Sequence, residues 1–355
     1  MNENGQTLEL GVQTFGDVRV LPDHEHTSDG EVLREIVDHA RLADHLGMDV
    51  FGVGEHHRPD FPVSAPDVVL AAIAAVTEDI HLTSSVSVLS TDDPVRLYER
   101  FATLDGLSAG RAEVILGRGS FTESFPLFGF ELADYDRLFA EKLELWAQLR
   151  AEAETSWSGT TRPPLDAQRV FPRSDTAGGL ATWVGVGGNP QSVVRVAHHE
   201  FDLMMAGLGM DVPRLQQYFE LFRRASEQFG TSAGRIGLST RVHIADTDAQ
   251  ARDELWPSHL ERNTRIGAER GWAPPSRESF EQSVDHGLEL VGSVDTVTRR
   301  ITETVSALGL DRLILSYDGS LLTREQKERT LTLLGEEVFP RVRAAVAADR
   351  TSVAA

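Results

Sequence analysis

One short stretch of the sequence holds residue types that suit acid–base chemistry. It is Glu55-His56-His57, between Gly54 and Arg58. An imidazole suits proton transfer because its ordinary pKa is about 6.5, close to neutral pH. Neighbours at the end of a strand point to opposite sides, so His56 and His57 can hardly bind one metal ion together. The stretch predicts one inward-facing histidine, with either an acid–base or a structural role.

Two other stretches have the residue types that bind phosphate. Arg118 lies between Gly117 and Gly119, where the backbone can approach an anion while a guanidinium is offered to it. The glycine-rich residues 185–189 run directly into a helical pattern that begins at Pro190. A helix amino terminus presents free N–H groups and the positive end of the dipole. Because Pro190 occupies the third glycine position, a Rossmann fingerprint does not fit. These stretches predict either a phosphate site or a tight turn without a ligand.

The segments that must position these residues alternate along the whole chain. Short β-branched runs, typical of strands buried in parallel sheets, are separated by segments with apolar residues at three- and four-residue spacing. Eight strands alternating with eight helices predict an α/β fold, a (β/α)₈ TIM barrel, whose active site lies at the carboxyl ends of the strands. The predicted strands are residues 8–15, 50–54, 80–89, 112–116, 181–186, 201–206, 235–245 and 311–317.

The length of 355 residues is compatible with two domains, but the barrel pattern predicts a single domain over 1–355. Two stretches depart from the repeat and are predicted as insertions on the C-terminal face. They are about residues 157–179 and about residues 256–290. The second, with Gly267 and Gly271, is predicted to be a long irregular lid. Residues 344–355 are expected to form a frayed tail.

Composition excludes several classes of protein. The net charge is −21 and there is no cysteine, which excludes disulfide scaffolds, thiolate nucleophiles and Cys-ligated metal centres. An acidic surface argues against nucleic acid and anionic membranes as partners. The amino terminus lacks the pattern of a signal peptide, and no run approaches the roughly 20 apolar residues of a membrane span. We therefore expect a cytoplasmic protein.

Pairs of carboxylates leave a hydrolase as one alternative. Glu55, His56 and Asp92 could form the site of a barrel hydrolase, with or without a metal. The run Asp92-Asp93-Pro94 has a simpler interpretation as a loop and helix start, with Asp93 as the N-cap.

Several motifs taken in order resemble the bacterial luciferase-like flavin-dependent monooxygenase family. The resemblance extends over about residues 7–345. Its most specific parts are the Glu-His-His stretch and the run that ends at Arg111. The motifs are LGVQTFG at 10–16, EHH at 55–57, VSVL at 86–89, DPVR at 93–96, LDGLSAGR at 104–111 and GRG at 117–119.

The resemblance implies a TIM barrel that binds FMN, or in some branches a deazaflavin such as coenzyme F420, usually as a homodimer. It places His56 near the reactive edge of the flavin, with Glu55 supporting it. It also implies a non-proline cis peptide at Ser85–Val86, of a kind that clusters at ligand sites. The residues it places around the cofactor, chiefly its phosphate, are Ser85, Val86, Arg118, Gly119, Arg137, Gly187, Gly188, Asn189 and Ser192, and it implies no metal.

The expected activity is that of a monooxygenase that uses reduced FMN and dioxygen on a small organic substrate. A flavin reductase can be the partner that supplies the reduced FMN. A deazaflavin-dependent dehydrogenase or reductase, which moves hydride without oxygen, is the alternative within the family. A flavin-binding homologue without catalytic activity is the remaining one.

Overall fold

Parallel strands close into a barrel in the computed structural model, which describes residues 7–21, 23, 25–151 and 153–353. The ring runs β1-β2-β3-β5-β8-β9-β10-β12 and closes where β12 pairs with β1. The strands are β1 (Glu9–Thr14), β2 (Val50–Val53), β3 (His81–Ser84), β4 (Ser87–Val88), β5 (Ala112–Gly117), β6 (Thr155–Trp157), β7 (Leu165–Gln168), β8 (Ala181–Val186), β9 (Asp202–Ala206), β10 (Ile236–Ile244), β11 (Leu290–Gly292) and β12 (Arg312–Ser316).

The TIM barrel predicted from the sequence is confirmed, and each predicted strand overlaps a barrel strand. The predicted third strand is divided into β3 and β4 by a cis peptide between Ser85 and Val86, at the position that the resemblance implied. Strand β11 was not predicted; it pairs parallel with the end of β10.

Helices cover the outside of the barrel. Pro66, Pro94 and Pro190 occupy first-turn positions of three of them, where a missing N–H costs nothing. No helix formed by the described residues combines the length and apolar character needed to cross a bilayer. The helices are α1 (Asp29–His45), α2 (Pro66–Ala74), α3 (Pro94–Leu107), α4 (Ser124–Leu127), α5 (Tyr135–Arg150), α6 (Pro190–His198), α7 (Val212–Phe229), α8 (Asp248–Arg270), α9 (Arg277–His286), α10 (Val294–Leu308), α11 (Arg324–Leu333) and α12 (Phe339–Val353).

The prediction of an irregular stretch at 256–290 was wrong. Helix α8 continues to Arg270 and ends at Gly271, whose φ of 71° makes it a left-handed cap, and α9 follows. Gly267 is buried inside α8, where a Cβ would lie 3.3 Å from the backbone oxygen of Trp272. The glycine therefore permits close packing of the chain against the helix. Within 157–179, β7 pairs antiparallel with β6, and α12 extends through the expected tail as far as residue 353.

A buried ion network closes the amino-terminal end of the barrel. The side chain of Arg312 is 1% exposed, and its Nη2 and Nε donate to Glu113 (2.9 Å) and Glu9 (2.7 Å). The guanidinium also lies 4.5 Å from the ring of Trp183. Burial, the largest single effect, would raise the pKa of Glu113, but the charge of Arg312 together with hydrogen bonds from His81 and Arg312 holds this pKa below its ordinary value. Glu113 is therefore ionised and, with Glu9, balances the charge of Arg312.

We predict that Glu113→Gln lowers the free energy of unfolding by about 3 kcal/mol, because it leaves a buried guanidinium with one fewer counter-charge. Urea unfolding measures the change. Arg299→Met is the control, since the Arg299–Glu303 pair is exposed and is worth less than about 1 kcal/mol. Equal stability of the Glu113→Gln and wild-type proteins would contradict the structural role of the network.

Candidate active site

A cavity of about 370 Å³ opens at the carboxyl ends of the barrel strands. Its walls come from residues within or just after β1, β3, β5, β8, β9 and β10, with Phe15, Met204 and Ser239 among them. The size and position fit a cofactor site of a TIM barrel. Seven of the predicted cofactor residues line this cavity: Ser85, Val86, Arg118, Gly119, Gly187, Asn189 and Ser192.

Arg118 forms the cationic end of the cavity. Its Nη1 donates to the Ser192 hydroxyl (3.4 Å), its Nη2 to Asp136, and its guanidinium lies 4.3 Å from the ring of Tyr135. Its Nε is buried and has no hydrogen-bond partner among the described residues. A buried N–H without an acceptor is costly, so this position has an unfilled capacity to bind an anion.

The glycine turn before α6 lies beside Arg118. Gly188 has a φ of 105°, a conformation that favours glycine, and a Cβ there would also have to displace the end of the Met210 side chain, 2.9 Å away. Tyr218 holds the turn by donating its hydroxyl to the carbonyl of Gly188 (2.6 Å). Asn189 is the N-cap of α6, because its side-chain oxygen accepts from the N–H of Gln191 (2.9 Å). The structure thus gives Asn189 a capping role at the helix that faces the cavity.

The structure places Arg137 differently from the prediction. Its side chain is 50% exposed and pairs with Asp134 (2.8 Å) and with the Thr160 hydroxyl (2.9 Å), away from the cavity. Arg195 on α6 is a second cation near Arg118, although it does not itself line the cavity. Burial, followed by the positive charge of Arg118, lowers the pKa of Arg195, so the two cations are close enough to repel. An anion between them would relieve that repulsion.

Arg195 was not predicted from the sequence. Arg195 lies three residues after Ser192, so both face the same side of α6. Tyr135 was also missed as a cavity residue, although it directly precedes Asp136 and Arg137 in the motif; its hydroxyl donates to the carbonyl of Gly119 (2.8 Å).

His56 sits in a cluster of aromatic rings next to the cavity. Its ring centroid lies 4.6 Å from Phe61, 5.0 Å from Phe15 and 5.3 Å from Phe121. Nδ1 is buried without a hydrogen-bond partner in the described part of the chain. Burial lowers the pKa of His56 to about 4, so the imidazole is neutral at neutral pH. Because Phe15 contacts His56 and also lines the cavity, the imidazole of His56 lies at the edge of the cavity.

Glu55 hydrogen-bonds the other histidine of the motif. Its carboxylate accepts from Nε2 of His57 (2.9 Å) and from the backbone N–H of Val88 (2.8 Å). Glu55 therefore connects His57 to β4, just after the cis peptide. It supports His56 by fixing the turn that carries both residues. The predicted support of His56 by Glu55 from the same turn stays a prediction.

The carboxylate set of the hydrolase alternative does not assemble. Asp92 pairs with Arg100 and accepts from the backbone N–H of Asp93 (2.7 Å) at the start of α3, and Asp93 caps that helix as predicted. Glu55 is occupied by His57. Among the described residues, no group of three or more histidine, cysteine or acidic side chains could hold a metal ion.

The end of helix α8 covers the side of the mouth that carries His56. Glu269 accepts from Arg58 (2.6 Å), Arg265 pairs with Asp60, and Arg270 donates to the carbonyl of Ser120 (2.9 Å). These contacts join α8 to the loops that follow β2 and β5. The segment expected to act as a lid thus lies over the site as an ordered helix.

Comparison with known proteins agrees with this geometry. A family model described as luciferase-like monooxygenase matches residues 9–312, most of the chain. The chain belongs to the luciferase-like monooxygenase family. The family resemblance found in the sequence is therefore confirmed, and the enzyme class is that of an oxygen-incorporating oxidoreductase.

Two of its relatives illustrate the match. The 4-hydroxyprotoasukamycin monooxygenase of Streptomyces nodosus subsp. asukaensis is 25% identical over 314 residues, 85% of each chain. The solved structure of monooxygenase RslO1 from Streptomyces bottropensis superposes with a TM-score of 0.82 at 24% identity and covers 94% of this chain and 99% of that one.

Solved structures with two different cofactors share the fold. The oxygenating constituent of 3,6-diketocamphane monooxygenase from Pseudomonas putida, in complex with FMN, has a TM-score of 0.76 at 19% identity, covering 94% of this chain and 98% of that one. An F420-dependent secondary alcohol dehydrogenase has a TM-score of 0.73 at 13% identity, covering 95% and 99%. These likenesses show the fold and do not distinguish FMN from F420 as the cofactor.

We predict that His56 titrates near pH 4 in the folded protein, because burial among aromatic rings opposes its charged form. The pKa of this histidine in the unfolded chain is about 6.5, so the folded protein binds the proton only at a lower pH than the unfolded chain does. Protonation of His56 therefore favours the unfolded chain and lowers the stability as the pH falls below about 6.5. NMR of the histidine ring protons, assigned with His56→Asn, measures the midpoint. The same ring in denaturant is the control. A midpoint near 6.5 in the folded protein would contradict the burial of His56.

Proposed function

We propose that the chain is a monooxygenase that binds reduced FMN at this cavity and uses dioxygen to oxygenate a small organic substrate. The observation that carries the proposal is the unpartnered Nε of Arg118, whose Nη1 reaches Ser192 in the first turn of α6, in a cavity at the strand ends. A phosphate monoester matches that donor set, since Arg118, the Ser192 hydroxyl and the N–H groups of the turn would all donate to it.

The residues present fit FMN at both ends of the cavity. Arg118, Arg195 and the turn through Gly187 would hold the phosphate. Val86 and Met204 provide apolar walls for a ring system, and Ser85 and Gln13 are hydrogen-bonded to each other on the same wall. When bound, the reduced flavin supplies the two electrons that activate dioxygen. The protein supplies position, dryness and control of protons.

His56 is proposed to manage a proton at the reacting centre. Its neutral ring can accept a proton at one nitrogen and release one from the other, and Nδ1 is left without a partner for this purpose. The rings of Phe15, Phe61 and Phe121 exclude water from the imidazole, as does the cover provided by α8. Water would otherwise compete for activated oxygen and release it unproductively.

The proposal extends to assembly and supply. We expect a cytoplasmic homodimer, and the large exposed fractions of Val68 (64%) on α2 and Leu107 (68%) on α3 support self-association through these neighbouring helices. A flavin reductase is the proposed supplier of reduced FMN. Sedimentation of wild-type and Leu107→Glu proteins tests the first point, with a dimer expected only for the wild type.

We predict that Arg118→Met weakens FMN binding about tenfold to a hundredfold, the worth of charge-assisted hydrogen bonds to a phosphate. Arg137→Met is the matched control and is expected to change binding less than about twofold, because Arg137 pairs outside the cavity. Flavin fluorescence titration measures both. Equal binding by Arg118→Met and wild type would contradict the phosphate assignment.

We predict that His56→Asn binds FMN as tightly as wild type but loses at least about a hundredfold in product formed per reduced FMN, with hydrogen peroxide released instead. Oxygen consumption and peroxide assays measure the split. Turnover of the wild type without oxygen, with coenzyme F420 in place of FMN, would instead identify the deazaflavin-dependent alternative.

A further inference from the structure

Three ionisable side chains are buried beside the candidate active site without the contacts that buried charges normally have. Arg241 on β10 is 3% exposed, His259 on α8 is 9% exposed, and Glu289 next to β11 is 8% exposed. Nε of Arg241, Nδ1 of His259 and Oε2 of Glu289 each lack a hydrogen-bond partner among the described residues. We call these three residues the polar trio.

The spacing inside the polar trio is too wide for hydrogen bonds and suits a shared third atom. Nη1 of Arg241 lies 3.8 Å from Oε1 of Glu289, and Nδ1 of His259 lies 3.9 Å from Oε2 of Glu289. Hydrogen bonds need about 2.7–3.2 Å. Two atoms 3.8 Å apart can, however, both lie about 2.8 Å from one oxygen placed between them. The spacing therefore suits one hydrogen-bonding atom shared by these residues.

The polar trio differs from the other buried arginine of the barrel. Arg312 is equally buried, but it donates to Glu113 and to Glu9 at hydrogen-bond distance. An unsatisfied buried charge costs stability, and such positions are retained where they serve function. The contrast within one chain points to a ligand for Arg241.

The polar trio faces the same space as the proposed cofactor site. Arg241 lies two residues beyond Ser239 on β10, so both project from the same face of the strand, and Ser239 lines the cavity. His259 lies on α8, the helix that covers the mouth. Glu289 directly precedes β11, which pairs with the end of β10.

The chemistry of the polar trio favours a neutral group that both donates and accepts. The charges of Arg241 and Glu289 cancel, and burial lowers the pKa of His259, which is therefore neutral at neutral pH. A carboxylate or phosphate would meet the negative charge of Glu289. A hydroxyl accepts from the guanidinium through its oxygen and donates its hydrogen to the carboxylate.

The surroundings of the polar trio are apolar and aromatic. The ring of His259 lies 6.0 Å from Trp256, stacked, and 4.7 Å from the buried ring of Phe280. Met204 and Phe15 line the neighbouring cavity. A ligand that places a polar group on the polar trio would therefore keep the rest of its surface against apolar walls.

We propose that the polar trio binds a hydroxyl group on the substrate, and so selects hydroxylated, otherwise apolar molecules. The hydroxyl oxygen lies between Arg241 and Glu289, and the rest of the molecule extends toward the flavin. Arg241 and Glu289 are the specificity-determining residues. This assignment rests on the proposed function, because it takes the adjoining cavity to be the cofactor site.

The test compares two probes that differ by one hydroxyl, 1-naphthol and naphthalene, by calorimetric titration of the FMN-loaded protein. We expect wild type to bind 1-naphthol at least about tenfold more tightly, and Arg241→Met to reduce that preference to about twofold or less. Glu289→Gln is the second variant, in case Arg241→Met does not fold, and is expected to reduce the preference as well. Arg299→Met, an exposed arginine on α10, is the control and is expected to keep it.

Several results would overturn the assignment. These are equal affinity of wild type for the two probes, an unchanged preference in both variants, or a structure of the 1-naphthol complex with only water between Arg241 and Glu289. Weaker FMN binding by Arg241→Met would also overturn it, because the guanidinium would then belong to the cofactor. Two further titrations separate the two proposals. Failure of wild type to bind FMN contradicts the proposed function. The preference for 1-naphthol, measured without FMN, still tests the polar trio.

Discussion

The buried contact of Arg312 with Glu113 and Glu9 is the constraint on which the architecture depends. It joins β12, β5 and β1 across the inside of the barrel, at a level where Trp183 fills the remaining space. A charged guanidinium in the interior is tolerable only if those strands keep their relative positions, because each carboxylate comes from a different strand. With the inside of the barrel filled in this way at the amino-terminal end, the cavity lined by Arg118 and Ser239 opens at the carboxyl end.

The cavity at that end is electrically divided. Arg118 makes one side positive, with Arg195 behind it on α6, within a protein whose net charge is −21. The other side carries the neutral imidazole of His56 among aromatic rings. An overall acidic surface and a local site for an anionic cofactor are compatible, because charge in a partly buried cavity is screened less by salt than charge on the surface.

Much of this could be predicted from the sequence, and the rest depends on packing. The β-branched runs identified the barrel strands, and prolines marked the helix starts at Pro66, Pro94 and Pro190, since both signals are local. Arg118 was found because its neighbours are glycines. Arg137 and Arg195 could not be ranked from the sequence alone, because the choice depends on which helix face meets the barrel. The length of helix α8 was not predicted, because Gly267 and Gly271 suggest a break in the helix. Only the contact of Gly267 with Trp272 explains a glycine inside it.

The polar trio lay beyond the reach of sequence reasoning for a related reason. Arg241, His259 and Glu289 stand far apart in the chain, and each has an ordinary explanation as a surface residue. Only the pairing of β11 with β10 and the course of α8 bring them together. Their unusual property is the absence of partners for buried atoms, which is defined only once the surrounding structure is known.

The two sides of the mouth are built from different parts of the chain. The side with Arg118 and the turn before α6 comes from β5 and β8, whereas the side with Arg241 comes from β10, α8 and β11. Arg241 and Glu289 are not among the described residues that contact Arg118, although α8 itself reaches the loop after β5 through Arg270. Descendants of such a protein can therefore exchange one substrate for another by mutation in one region while they inherit their flavin chemistry intact. This separation is a structural reason why one barrel can give rise to enzymes with many different substrates.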